Sequence, residues 1–330
     1  MILKKGYFLL NLIKIIYSDI RIIKIGLAFP FKDTFWQAYE EKFKAKNDLF
    51  HNESIEFEFI SRFSQQSISI QQADIEYLLS EKIKVLIIVP HDAKASKNIK
   101  KYCDLVNIKI IAFNRIISDV AIDAYVSPDL RSAGKLQAQF LIEKALNDTS
   151  VSRNLILMKG PESDKNSELY YNASLEYLNK NETKFNITQI ALTKWDKDEG
   201  AIECKKYVNE DISFIIAAND DIGKSCYEVL TSNNKKTIYM AGHDNATLEV
   251  NELFQKMGDK FYTIDMNQDA TIIETLKVAK NIADNKPFDF SSTITNGHYE
   301  VPHILLDVKP YTYDDYEKNN KETKNFKLDL

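Results

Sequence analysis

The sequence predicts an α/β protein built as two doubly wound lobes, and three observations carry that prediction. Short β-branched runs alternate with helix-length segments almost from end to end. This is the pattern of parallel strands joined by right-handed crossovers, with helices on both faces. The strand candidates are too many for one compact sheet. At 330 residues the chain also exceeds what a single core usually holds, whereas two lobes of about 100–200 residues each would accommodate it.

Taken in order, the chain opens with Lys4 and Lys5 before an apolar run from Tyr7 to Ile13, which Lys14 interrupts. A basic start and a short apolar stretch are the outline of an export segment. No small-x-small cleavage site follows, and no acylation cysteine either, since the first cysteine is Cys103. Residues 1–21 therefore read as a leader or an uncleaved membrane anchor. Strands are expected at Ile22–Phe29, Ile55–Ile60, Val85–Val89, Lys109–Phe113, Ala124–Ser127, Asn154–Lys159, Ile187–Leu192, Ser213–Ala218, Thr237–Gly242 and Phe261–Asp265, with a late pair around Thr293–Leu306. Between them the apolar spacing approaches 3.6, as in Ala133-Leu136-Gln137-Phe140-Leu141 and in Ile272-Ile273-Leu276-Ala279-Ile282. With only nine glycines and seven prolines, no flexible linker separates the lobes, so strands crossing between them are expected to form a hinge. The last stretch, Tyr311–Leu330, is rich in Lys, Asn, Asp and Tyr and reads as a partly disordered surface tail.

Composition narrows the function. Hydrophobic residues are 44% and charged residues 28%, the balance of a globular chain. A net charge of −5 with interleaved signs excludes a nucleic-acid footprint. Cys103, Cys204 and Cys226 have no C-x-x-C spacing, which argues against structural zinc, and their odd count argues against a disulfide framework. Gly223-Lys224-Ser225 is a chance echo of a phosphate loop, because Ala218 stands where its first glycine belongs. Neither G-x-G-x-x-G, G-x-S-x-G nor H-E-x-x-H is present. The chain thus shows no catalytic machinery and calls for no cofactor.

In open α/β sheets, ligands bind beyond the carboxyl ends of the strands. At those positions stand His91-Asp92, Asn114-Arg115, Ser163-Asp164-Lys165-Asn166, Asn219-Asp220-Asp221, His243-Asp244-Asn245 and Met266-Asn267. Carboxylates accept from neighbouring hydroxyls, Asn accepts and donates, and Arg donates a planar fork. An aromatic ring covers the apolar face of a sugar, and Trp36 and Trp195 are the two tryptophans. Polyol recognition is the chemistry this set fits. A plainer reading stands beside it: Asp220, Asp221 and Asn245 suit helix N-caps, and Trp36 suits the core.

These runs resemble the xylose-binding proteins among the type I periplasmic sugar-binding proteins. The resemblance covers about Lys24 to Leu306 and rests on KIGLA, IIVPHD, IIAFNRIISDVAIDAYVSPDL with GKLQAQ, LMKGPESDKN, Lys194-Trp195, AANDD and AGHD in the family's order. It implies two Rossmann-like lobes joined by three crossing strands that close on the ligand. The lobes would be residues 22–128 with 266–293 and residues 129–265 with 294–310, followed by a tail over 311–330. Carried over by position, the sugar contacts fall on Arg115, Asp164, Asn166, Trp195, Asn219 and Asp244, with Trp36 retained in kind and Asp92 and Asn114 beside the site. Departures are Phe35 in place of a basic residue, which Lys32 could replace, Met266 in place of a lysine, and Glu199 near a missing second tryptophan. The resemblance implies extracytoplasmic binding of D-xylose or a close pentose by a protein at the cell membrane. The implied partner is the extracytoplasmic domain of a membrane histidine kinase or, alternatively, the permease of an ABC importer. The missing acylation cysteine leans toward the kinase. A sugar-responsive repressor, which would need a DNA-binding helix pair, and a sugar-modifying enzyme are the weaker rivals.

Overall fold

The computed structural model describes residues 20–65, 67–94, 98–232, 237–245 and 248–328. In chain order the elements are β1 (Arg21–Phe29), α1 (Thr34–Ala45), a 3-10 segment (Lys46–Glu53), β2 (Ile55–Phe63), α2 (Ile68–Ser80), β3 (Val85–Ile88), α3 (Ile99–Leu105), β4 (Lys109–Phe113) and β5 (Ala124–Pro128). Then come α4 (Leu130–Asn147), β6 (Asn154–Lys159), α5 (Lys165–Lys180), β7 (Asn186–Ala191), α6 (Lys197–Lys205), β8 (Ile212–Ile216), α7 (Asp220–Thr231) and β9 (Tyr239–Ala241). The last are α8 (Leu248–Met257), β10 (Phe261–Asp265), α9 (Gln268–Ala283), β11 (Ser292–Asn296), β12 (Tyr299–Leu306), β13 (Lys309–Tyr311) and α10 (Tyr313–Leu328). The chain forms two compact units, changing from one to the other at Val126/Ser127, Gln268/Asp269 and Ile304/Leu305. Up to residue 19, the expected leader or anchor lies outside the described residues. Among those described, no helix is long and apolar enough to cross a membrane.

The first unit holds a sheet in the order β11-β12-β5-β4-β3-β1-β2, parallel from β5 to β2. Its central strands are buried on both faces, which is why β3 and β4 read as unbroken apolar runs. Edge strand β2 instead begins buried-exposed-buried-exposed, and it runs three residues past the expected end because Phe63 pairs with and stacks on Phe29 at 5.1 Å.

The second unit's sheet runs β13-β10-β9-β8-β6-β7, parallel except where β13 joins β10. Alternate residues feed two cores. Leu155, Leu157, Phe214, Ile216 and Ile264 pack on one side with α4 and α5, and Ile156, Met158, Ile215, Met240 and Phe261 on the other with α7 and α8.

Three expectations need correction. The hairpin β11–β12, turning at Gly297 with φ +66°, lies at the edge of the first sheet, although residues from 294 on were assigned to the second lobe. Its inner side explains this: Val301 joins the first unit's core, His303 stacks on Tyr125 at 4.7 Å, and Asn296 donates to the carbonyls of Ile117 (2.7 Å) and Val120 (3.0 Å).

Through Leu328 the tail is ordered, as β13 and α10. Thr312 and Asp315 form a reciprocal capping box, with Asp315 Oδ2 accepting from the Thr312 N–H at 2.9 Å, and Tyr316 is buried on Phe254 at 5.2 Å. Polar composition concealed one aromatic face.

Finally, Cys204 and Cys226 form a disulfide between α6 and α7, leaving Cys103 as the free, buried third thiol. An odd count excludes only a framework that pairs every cysteine.

Candidate functional site

Each unit presents its predicted residues where its strands end. In the first unit, Gln71 on α2 clamps the loop after β3. Its amide donates to the carbonyl of Val89 at 2.9 Å and its oxygen accepts from the N–H of His91 at 2.8 Å. Asp92 then closes an Asx turn, accepting from the N–H of Lys94 at 2.7 Å. Burial holds His91 below its ordinary pKa, and the nearby Arg115 charge adds to this while Asp92 opposes it.

After β4, Asn114 turns the chain with φ +62°. Its N–H donates to the carbonyl of Val126 at 2.8 Å and its own carbonyl accepts from the Tyr125 hydroxyl at 3.0 Å. That turn delivers Arg115, itself buried, with its guanidinium 5.5 Å from the Trp36 ring centre. Trp36 is 2% exposed. It packs on Phe29 (5.8 Å) and Tyr39 (5.4 Å), with Phe35 edge-on at 5.0 Å. In this unit Trp36 is therefore a core ring underlying Arg115. Phe35, the departure from the family's basic residue, is part of the same aromatic wall. Lys32 lies 6.0 Å from the Phe63 ring.

In the second unit, Asp164 uses both carboxylate oxygens. Oδ1 caps α5 by accepting from the N–H of Asn166 at 3.0 Å, and Oδ2 accepts from the Trp195 indole N–H at 3.1 Å. Trp195 packs against Gly160 with its six-membered ring. A Cβ there would stand 2.5 Å from the ring, so any larger residue displaces the indole. Tyr170, one turn along α5 from Asn166, links Trp195 (6.5 Å) to His243 (4.7 Å), whose Nε2 is 3.8 Å from Asp244 Oδ1. Burial pushes the His243 pKa down to about 4, so the ring is neutral near pH 7. Asp244 has φ +106°, a conformation rare outside glycine, and its N–H donates to the carbonyl of Ile264 at 3.1 Å.

Asn219 caps α7 by accepting from the N–H of Ile222 at 2.9 Å. The cap falls there and not on Asp220 or Asp221, as the plainer reading had it. The backbone N–H of Asn245 donates to the Asp220 carboxylate at 2.9 Å. Met266, in place of a lysine, is buried with that unit's core. Glu199 is likewise occupied, accepting from the N–H groups of Thr193 and Lys194 at 2.9 Å each, which fixes the segment leading to Trp195.

Arg115 and Trp36 thus come together in one unit, and Asp164, Asn166 and Trp195 in the other, with Asp244 joined to them through His243 and Tyr170. Tyr170 is absent from the strand-end residues, and His243, which stands among them, is absent from the predicted sugar contacts. The i,i+4 spacing from Asn166 to Tyr170 could have found the first, and adjacency to Asp244 the second. A groove of about 590 Å³ on the second unit is lined by residues such as Lys197, Lys205, Asp221, Lys224 and Glu228 and includes none of the predicted sugar contacts. Among the described residues no His, Cys, Asp and Glu group could hold a metal ion.

Two α/β units carrying such side chains at their strand ends have the architecture of a type I periplasmic binding protein. Residues 25–287 match the periplasmic binding protein domain family, and the chain belongs to it. It is 23% identical over 310 residues to the D-xylose-binding periplasmic protein of Escherichia coli, covering 90% of this chain and 88% of that one. Among solved structures it is similar to a carbohydrate transporter solute binding protein from Chloroflexus aurantiacus in complex with D-glucose. There the TM-score is 0.78 at 20% identity, over 89% of this chain and 94% of that one. It is also similar to the fructose binding periplasmic domain of a hybrid two component system, with a TM-score of 0.74 at 18% identity over 93% and 96% of the two chains.

Proposed function

We propose that the chain binds one monosaccharide, D-xylose or a close pentose, outside the cytoplasm and performs no chemistry on it. The observation that carries this reading is the Asp164–Trp195 pair: a buried carboxylate and an indole fixed against each other, with Asn166 and Asp244 in the same unit. A carboxylate beside a ring is suited to grip adjacent hydroxyls while covering C–H bonds. In this reading Asn219 contributes from the second unit and Arg115 from the first, where Trp36 supports it and Asp92 and Asn114 shape the neighbouring loops. Closure about the connections between the units then signals to the extracytoplasmic domain of a membrane histidine kinase. The alternative partner is the permease of an ABC importer. The Cys204–Cys226 bridge supports residence in an oxidising compartment, where disulfides persist.

A thermal-shift panel of D-xylose, L-arabinose, D-ribose, D-glucose, D-fructose and myo-inositol tests the ligand. A ligand that prefers the folded form raises the midpoint by mass action. The largest shift is expected for D-xylose. A larger shift with a hexose would overturn the pentose assignment, and no shift with any of the six would overturn sugar binding. Co-purification with the kinase domain and with the permease, each with and without the sugar, distinguishes the partners.

A further inference from the structure

One buried aspartate holds the turn that carries Asp244 from both sides, with its backbone N–H on one and its carboxylate on the other. Asp220, the first residue of α7, is 2% exposed. Its N–H donates to the carbonyl of His243 at 3.2 Å, and its Oδ2 accepts from the N–H of Asn245 at 2.9 Å. Those two residues flank Asp244. The buried hydroxyl of Thr263, in the middle of β10, donates to the same oxygen at 2.8 Å. The other oxygen, Oδ1, lies against Gly242, where an added Cβ would stand 2.0 Å from it. Burying a carboxyl group this deeply is costly, and the directed hydrogen bonds to Oδ2 offset part of that cost. Helix capping does not account for it, because Asn219 already caps α7. What the carboxylate does reach is a turn whose middle residue has φ +106°, a conformation that surrounding contacts must impose.

We infer that Asp220 is a positioning residue for ligand binding. By bridging His243 and Asn245 it fixes the direction in which the Asp244 side chain leaves the end of β9. This rests on the reading that Asp244 binds the sugar.

Calorimetric titration of the full chain with D-xylose, D-glucose, D-fructose and myo-inositol tests both levels. Asp220→Asn keeps an oxygen able to accept from Asn245 and Thr263, and is expected to bind within about threefold of the wild type. Asp220→Ala removes both side-chain bonds and is expected to bind about tenfold more weakly or worse, at a temperature where circular dichroism shows it folded. Leu178→Ala, a cavity in the same unit remote in sequence from the turn, is expected to lower the melting temperature and leave affinity unchanged. If Asp220→Ala does not fold, Thr263→Val, which removes the hydroxyl anchoring the carboxylate, should weaken binding about threefold. Wild-type affinity in Asp220→Ala, or in Thr263→Val where that is the folded variant, overturns the inference. So does an equal loss in Leu178→Ala, which would reduce the effect to general stability. A wild type that binds none of the four sugars overturns the sugar reading instead.

Discussion

His243 and Asp220 are buried titratable neighbours whose protons pull stability in opposite directions. The imidazole pKa falls from 6.5 unfolded to about 4 folded. Between those values the unfolded chain holds a proton that the folded chain does not, so this stability is complete above about pH 6.5 and is lost as pH falls toward 4. Burial raises the Asp220 carboxyl well above 3.8, so its folded form keeps a proton longer and its contribution is lost as pH rises through that range. Because the two oppose each other, the wild-type profile alone is uninformative, and His243→Gln isolates the imidazole. That variant is expected to lose about 2 kcal/mol less stability than the wild type between pH 7.5 and pH 4.5, read from urea midpoints. Equal losses would mean that His243 charges freely in the fold. Residue types were legible from sequence because Asp, Asn and Arg after apolar runs stand out. Asp220 was not, since Asn219 and Asp220 are equally good caps on paper, and only the arrival of Asn245 and Thr263 from other elements separates them.

At the scale of elements, legibility followed burial. β4, β6 and β10 begin and end where the apolar runs predict, because a strand buried on both faces must be apolar throughout. The hairpin β11–β12 was recognisable as strands but not as part of the first unit. Its membership depends on Val301 and Asn296 meeting partners more than 170 residues earlier in the chain. The disulfide, across only 22 residues, was illegible because it depends on α6 and α7 packing side by side, which spacing in the chain does not reveal. α6 spans only nine residues, too short to persist alone. It is held to α7 by the bridge and by Gly200, where a Cβ would stand 2.7 Å from Ile222. Trp195 immediately precedes the Asp196 cap of α6 and Asn219 caps α7, so the bridge joins two elements that begin at proposed contacts. Cleaving a loop closure of this size costs about 2–4 kcal/mol, or about 5–10 °C in the melting transition of a unit this large. Calorimetry with and without reductant should show that drop, while Cys204→Ala/Cys226→Ala should not respond to reductant. The free thiol of Cys103 does not confuse the assay, since burial first and the Asp104 charge second push its pKa up to about 12. A wild-type transition indifferent to reduction would show that the bridge contributes nothing.

For the molecule as a whole, the proposal requires that one ligand draw its bonds from both units, and the energetics allow this to be tested one residue at a time. A micromolar complex corresponds to about 8 kcal/mol, and a bond to a charged group contributes about 1.5–3 kcal/mol, so removing one weakens affinity by roughly ten- to a hundredfold. At a sugar concentration 100 times the dissociation constant, binding stabilises the folded protein by about 2.7 kcal/mol, and a hundredfold loss leaves about 0.4 kcal/mol. Arg115→Ala in the first unit and Asp244→Ala in the second should therefore each erase most of the sugar-induced thermal shift. The Arg115 variant carries its own control, because its guanidinium also lies over Trp36. Arg115→Lys keeps the charge while losing the planar fork, and it should recover the ligand-free melting temperature better than the shift. If Arg115→Ala keeps the full shift while Asp244→Ala loses it, the second unit binds alone, and the sugar could then drive no closure, because a ligand touching one unit has no differential contact with the open and closed states.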